Sequence, residues 1–158
     1  MPSTLLLHDR RILFVVPSAR FDEAQFYQSW QLLSEEGAWL VAASDAPTGV
    51  ASGESGAVAR TLRLAQVKPA NYDAVVLLEG KEDAAETVAS AVGIITAALA
   101  AGRTVAAFGK VGGELHAAGL PVVRAGKSLS RFLAELAVKV SRQPRIPAPD
   151  VTAPARHR

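Results

Sequence analysis

Four short runs of consecutive apolar residues punctuate the chain: Arg11-Ile12-Leu13-Phe14-Val15-Val16, Ala38 to Ala43, Asp73-Ala74-Val75-Val76-Leu77-Leu78, and Thr104-Val105-Ala106-Ala107-Phe108. They are too short for buried helices and lack polar alternation, as expected of parallel strands covered on both faces. After the first run, Pro17 to Arg20 breaks the strand. Asp22 then opens a segment in which Phe26, Trp30 and Leu33 share a helical face, with Gly37 as the stop. The third run leads into a helix over 82–101, ended by Gly102, and the fourth into a short helix over 110–118, ended by Gly119. Pro121 to Arg124 reads as an edge strand. Ser128 caps a last helix whose Phe132, Leu133, Leu136 and Val140 fall on one side. Residues 48–67, with Gly49, Gly53 and Gly56 and weak alternation, predict an exposed hairpin or irregular excursion.

This order of strand, helix, strand predicts an α/β fold, a three-layer α/β/α sandwich with a flavodoxin-like, mostly parallel sheet of about five strands and right-handed crossovers. We divide the chain into an N-terminal extension (1–10), one α/β domain (11–142) and a Pro/Arg-rich C-terminal tail (143–158). In the tail, Pro144, Pro147, Pro149 and Pro154 forbid regular helix or sheet, which leaves an extended arm, disordered or docked on a partner. The length, 158 residues with 49% hydrophobic and 20% charged, suits one self-sufficient core.

Composition removes whole classes of chemistry. The chain has no cysteine, so disulfides, thiolate metal sites and cysteine nucleophiles are excluded together. Net charge is +2, and the last 17 residues hold Arg142, Arg145, Arg156 and Arg158 against Asp150, leaving the body near neutral. A basic face with interleaved aromatics is missing, so nucleic acid is not an expected partner, although the arginine-bearing tail could meet a protein. Ala84 to Ala101 is interrupted by Glu86, Thr87, Ser90, Gly93 and Thr96, so we expect a packed helix and no membrane insertion. With no export signal in the first ten residues, a cytoplasmic location is expected.

Among single residues, Ser18 lacks a glycine-x-serine-x-glycine setting, so a hydrolase triad is not supported. His116, on a short helix, reads as a packed or surface residue; His8 and His157 lie in the termini. Asp22, Glu79 and His116 could meet at the carboxyl end of the sheet, but their spacing matches no metal-ligand pattern. Gly112-Gly113 forms no dinucleotide fingerprint and Lys110 no Walker pattern. No metal or cofactor is expected; flavodoxin-like topology permits a flavin but does not imply one.

Three stretches together resemble the ThiJ/PfpI family of class I glutamine-amidotransferase-like folds. Ile12-Leu13-Phe14 with Phe21-Asp22-Glu23-Ala24-Gln25-Phe26 and Leu33 to Ala38 is similar to the family's opening strand, acidic turn and first helix. Tyr72 to Gly80 resembles its tyrosine-aspartate strand leading to a proline-glycine-glycine turn. Ala101 to Lys110, with Leu115-His116-Ala117-Ala118-Gly119-Leu120, resembles its elbow strand and helix. The resemblance implies a nucleophilic cysteine followed by histidine and glycine at the elbow, where this chain has Gly109, Lys110 and Val111. It implies a thiol-bonding glutamate where Asp22 stands, and an oxyanion-side turn whose proline and first glycine are here Leu78 and Glu79, followed by Gly80.

The resemblance therefore implies a degenerate member, a pseudoenzyme with vestigial elbow Gly109 and Lys110, vestigial acid Asp22 and an altered oxyanion-side turn at Glu79 and Gly80. It would act by binding or assembly, as a homodimer, in a role connected with stress. An alternative enzyme reading has Asp22, Glu79 and Lys110 supporting hydrolase- or lyase-type chemistry in the same cleft. The short path from Gly119 to Ser128 and the tail Ser141 to Pro147 also resemble the flavodoxin-like C-terminal domain of large-subunit catalases, which lacks the elbow cysteine; that resemblance implies a structural or holdase-like domain.

Overall fold

A computed structural model describes residues 5–81, 84–125 and 128–146. The elements are β1 (Arg11–Val15), α1 (Glu23–Glu35), β2 (Trp39–Ser44), β3 (Val50–Ser52), β4 (Val58–Arg60), β5 (Leu62–Arg63), β6 (Ala74–Leu77), α2 (Ala84–Ala100), β7 (Thr104–Ala107), α3 (Gly109–Ala117), β8 (Val123–Arg124) and α4 (Leu129–Ser141). Short 3₁₀ turns at Leu64–Gln66 and Pro69–Asn71 join β5 to β6. The main sheet has the order β5-β2-β1-β6-β7-β8, and every pairing in it is parallel. The five long-range strands β2, β1, β6, β7 and β8 follow the flavodoxin order, and a sixth, β5, adds two residues to the edge beside Ala43 and Ser44. The excursion after β2 contains an antiparallel hairpin, β3 with β4.

Strand residues alternate between two cores because successive Cβ atoms point to opposite faces. Ile12, Phe14, Ala74, Val76, Ala106 and Phe108 face one side, where Phe26 and Leu33 of α1 and Phe132, Leu133 and Leu136 of α4 cover them. Leu13, Val15, Val75, Leu77, Val105 and Ala107 face the other, under Ala91, Ile95 and Ala98 of α2 and Val111 and Leu115 of α3. The result is the three-layer sandwich that the apolar runs predict.

The ends of the domain are tied into it. Leu7, in the segment taken from sequence as an extension, is fully buried in the first core. Arg10 forms a buried ion pair with Asp73 at 2.9 Å. Its other guanidinium nitrogen donates to the main-chain oxygens of Ser141 at 3.1 Å and Gln143 at 2.7 Å. Asp73 also accepts from the Arg11 N–H at 2.9 Å, and the Gln143 side-chain amide donates to the Asp73 carbonyl at 2.9 Å. Thr104 bonds the other end of the same amide. One cation thus caps the last turn of α4 and holds the start of the tail, which is docked as far as these contacts reach; residues 147–158 lie outside the described residues.

Candidate functional site

The site is built where β7 turns into α3. Phe108 is extended and precedes the helix, and Gly109, the first helical residue, has φ +43. A residue with a Cβ pays about 1–2 kcal/mol in this left-handed region. Glycine holds the corner without that cost, and the helix starts at the carboxyl edge of the sheet.

The empty Cβ position of Gly109 is filled from across the sheet. A Cβ built there would lie 2.2 Å from Oε2 and 2.3 Å from Oε1 of Glu79, so the carboxylate occupies the volume in which a side chain at 109 would begin. Glu79 follows Leu78 at the end of β6, the strand paired with β7. Its Oε2 accepts from the Lys110 N–H at 2.8 Å, one of the helix donors that has no partner within α3. A negative group is favoured there by the aligned peptide dipoles as well as by the hydrogen bond.

Gln25 completes the arrangement. Its side-chain nitrogen donates to Glu79 Oε1 at 2.8 Å, while its side-chain oxygen accepts the Glu79 N–H at 3.0 Å. One amide therefore grips both main chain and side chain of Glu79. Sequence reasoning passed over Gln25, although Asp22-Glu23-Ala24-Gln25 has the capping-box spacing. In a closed box Gln25 would reach back to the Asp22 N–H; here that N–H donates to the Glu79 carbonyl at 2.8 Å, which frees the amide for Glu79.

Asp22 is the N-cap of α1: its Oδ1 accepts the Gln25 N–H at 3.0 Å. It touches the site through main chain and is not among the residues around the adjoining cleft. That cleft, of about 260 Å³, is lined by Glu79, Gly80, Lys81, Ala84, Thr87, Lys110 and Val111. The structure thus brings Glu79 and Lys110 to one cleft and leaves Asp22 out of the trio that the enzyme alternative needs. Gly80 is pressed against the preceding loop. A Cβ there would be 2.8 Å from the Arg20 carbonyl oxygen, and Gly80 bridges to Phe21.

The remaining candidates lie apart. His116 is exposed in the last turn of α3, at the opposite end of that helix from Gly109. Ser18 borders a separate cavity of about 60 Å³ with Asp45, Glu86, Thr87 and Ser90, with no histidine lining it. No group of three or more metal-ligating side chains is assembled among the described residues, so Asp22, Glu79 and His116 form no such set. No described helix is long and apolar enough to cross a membrane.

Next to the site, Glu23 fastens the β3–β4 turn. Its carboxylate accepts from the Ser55 N–H at 2.9 Å, the Ser55 hydroxyl and the Ala57 N–H at 3.3 Å. These donors, the Ser55 hydroxyl first, hold its pKa below the ordinary glutamate value. On the far side of the turn, Lys81 and Glu54 pair at 3.8 Å.

No protein-family model and no curated protein matches the sequence. Solved structures do match. The chain is similar to a ThiJ/PfpI domain protein from Brachyspira murdochii (18% identity, TM-score 0.59, covering 89% of this chain and 81% of that one). It is similar to a DJ-1 superfamily protein from Salmonella typhimurium (18%, TM-score 0.67, 84% and 88%). Drosophila melanogaster DJ-1beta is also similar (13%, TM-score 0.69, 85% and 92%). The chain therefore has the fold of the ThiJ/PfpI and DJ-1 proteins.

Proposed function

We propose that this chain is a ThiJ/PfpI-like protein without catalysis of its own, which acts in the cytoplasm by binding or assembly. One observation carries the reading: at the strand-to-helix corner the Glu79 carboxylate stands in the space of a side chain at 109 and consumes the Lys110 N–H. An acyl-transfer site needs a nucleophile at such a corner and free donors aimed at a developing negative charge. Here position 109 is glycine, and the donor already serves a full negative charge. A substrate oxygen brought to the same place would meet like charge instead of stabilisation.

Binding or assembly then has to use surfaces other than a reactive thiol, and we propose a homodimer as the working form. The test is turnover by the purified full chain of methylglyoxal, glycated amines, peptides and simple amides, followed beside buffer blanks. Rates equal to the blanks are expected. Robust turnover of any of them, lost in Glu79→Ala or Asp22→Ala, would overturn the reading. Sedimentation velocity checks the assembly: a species of twice the 16.5 kDa chain mass is expected, and a monomer across the micromolar range would remove the dimer.

A further inference from the structure

We propose that the exposed surface around Trp39 is the docking site of the chain's own C-terminal arm, residues 147–158. Contacts on three strands fix the direction in which the arm sets out. The Gln143 side chain bonds Thr104, the first residue of β7, and donates to the Asp73 carbonyl just ahead of β6 at 2.9 Å. Arg10, just ahead of β1, donates to the main-chain oxygens of Gln143 at 2.7 Å and Pro144 at 3.5 Å. Arg145 then donates to the His8 carbonyl at 3.0 Å. The arm therefore crosses the amino edge of the sheet in the order β7, β6, β1, and the next strand in that order is β2.

β2 begins with Trp39, which is 66% exposed. On the outer side of β2, β5 pairs only with Ala43 and Ser44, so no described strand lies beyond Trp39. The indole N–H donates to Asp9 Oδ1 at 3.5 Å, which sets the ring against the segment that carries His8. Leu5 and Leu6, also exposed, lie along the turn between α1 and β2. The Leu6 N–H donates to the Glu36 carboxylate at 3.2 Å, and the Leu5 Cβ is 3.2 Å from the place of a Cβ on Gly37. Large apolar side chains are thus uncovered on the side toward which residues 143–145 lead.

Reach, sequence and charge select the arm as the occupant. Prolines at 147, 149 and 154 favour an extended backbone of about 3.1 Å per residue, so three residues past Ile146 span roughly two strand spacings. That is enough to bring Pro147 and Pro149 to the indole, and aromatic surfaces are the usual seat of proline-rich segments. α1 ends on Glu35 and Glu36 with no basic residue in its last turn, so two carboxylates stand at the negative pole of the helix without a cation of their own. Arg156 and Arg158, further along the arm, supply the complementary charge.

The test reads the indole N–H resonance of Trp39 in the isotope-labelled full chain, assigned by its loss in Trp39→Phe. Two arm variants leave the folded core untouched: Pro147→Gly with Pro149→Gly, and Arg156→Glu with Arg158→Glu. Each is expected to shift the Trp39 indole resonance and the Leu5 and Leu6 amides, while the indole of Trp30, packed between Phe14 and Phe26, stays in place. High salt is expected to reproduce the shift of the arginine variant in the unaltered chain, because exposed charge pairs are screened. Unmoved Trp39, Leu5 and Leu6 resonances in both variants overturn the proposal. Shifts that change with protein concentration place the arm on a second copy and overturn docking within one chain. Neither readout depends on turnover.

Discussion

Gly109 and Glu79 compete for one volume, which makes their substitutions coupled by a predictable amount. Replacing Gly109 with alanine sets a Cβ where Glu79 Oε2 now lies, at 2.2 Å, so the carboxylate must leave the Lys110 N–H. The cost has two parts. The left-handed backbone at φ +43 contributes about 1–2 kcal/mol. The displaced contact adds about 1–2 kcal/mol, toward the lower end of the range for charged hydrogen bonds because the amide can rehydrate. Glu79→Ala loses the contact alone. In the double variant the contact is lost only once, so it is no less stable than Gly109→Ala, and the coupling equals the shared contact, about 1–2 kcal/mol. Urea unfolding followed by circular dichroism gives all four stabilities. Costs that add to within about 0.5 kcal/mol would show that the two positions do not share space and would remove the occluded-corner argument.

Three further outcomes test the surroundings of the site. Arg10→Met strands the buried Asp73 carboxylate and frees the carbonyls of Ser141 and Gln143, and is expected to cost about 3–5 kcal/mol in urea unfolding; a cost below about 1 kcal/mol would mean that the arm is not held by this cluster. Glu23 has its pKa lowered by the Ser55 and Ala57 donors, so its contribution is complete above the ordinary value of 4.5 and fades as pH falls through the lowered folded value. Hydrogen exchange at Ser55 and Ala57, corrected for intrinsic rates, should therefore speed up on acidification below pH 4.5 in the wild type and be insensitive to pH there in Glu23→Gln. Gly80→Ala presses a methyl group to 2.8 Å from the Arg20 carbonyl oxygen, a backbone atom that cannot swing aside, and is expected to destabilise by about 1–3 kcal/mol; an unchanged melting temperature would show that the loop yields.

The layers were legible because the central strands β1, β6 and β7 are covered on both faces and so read as short apolar runs. The caps were legible for a local reason: Asp22 and Ser128 accept from N–H groups three residues on. β5 was not, because Leu62 and Arg63 pair through main-chain atoms alone and both side chains are exposed. Arg10 and Asp73 stand 63 residues apart, and neither carries a local signal that it will be buried. The site divides in the same way. Gly109 and Glu79 were recognisable as departures at their own positions, but the sequence presented Glu79 only as a charge in the wrong place. That its carboxylate ends on the Lys110 N–H follows from the parallel pairing of β6 with β7, and that Gln25 grips it follows from the entry path of α1.

The corner therefore needs no reactive group to keep its shape. Its two strands are hydrogen-bonded through Leu77 and Ala107, and the Phe108 N–H donates to the Leu77 carbonyl at 3.1 Å, so the bend begins from fixed backbone. What a bare glycine would leave behind is a helix donor without a protein partner. Glu79 supplies that partner and fills the Cβ position of Gly109 with one side chain, and Gln25 holds its other carboxylate oxygen. A carboxylate at 79 is useful to the fold only while residue 109 has no Cβ, and glycine at 109 is well packed only while residue 79 reaches it. The two residues are parts of one structural unit, and a side chain restored at 109 without a small residue at 79 would meet an occupied site.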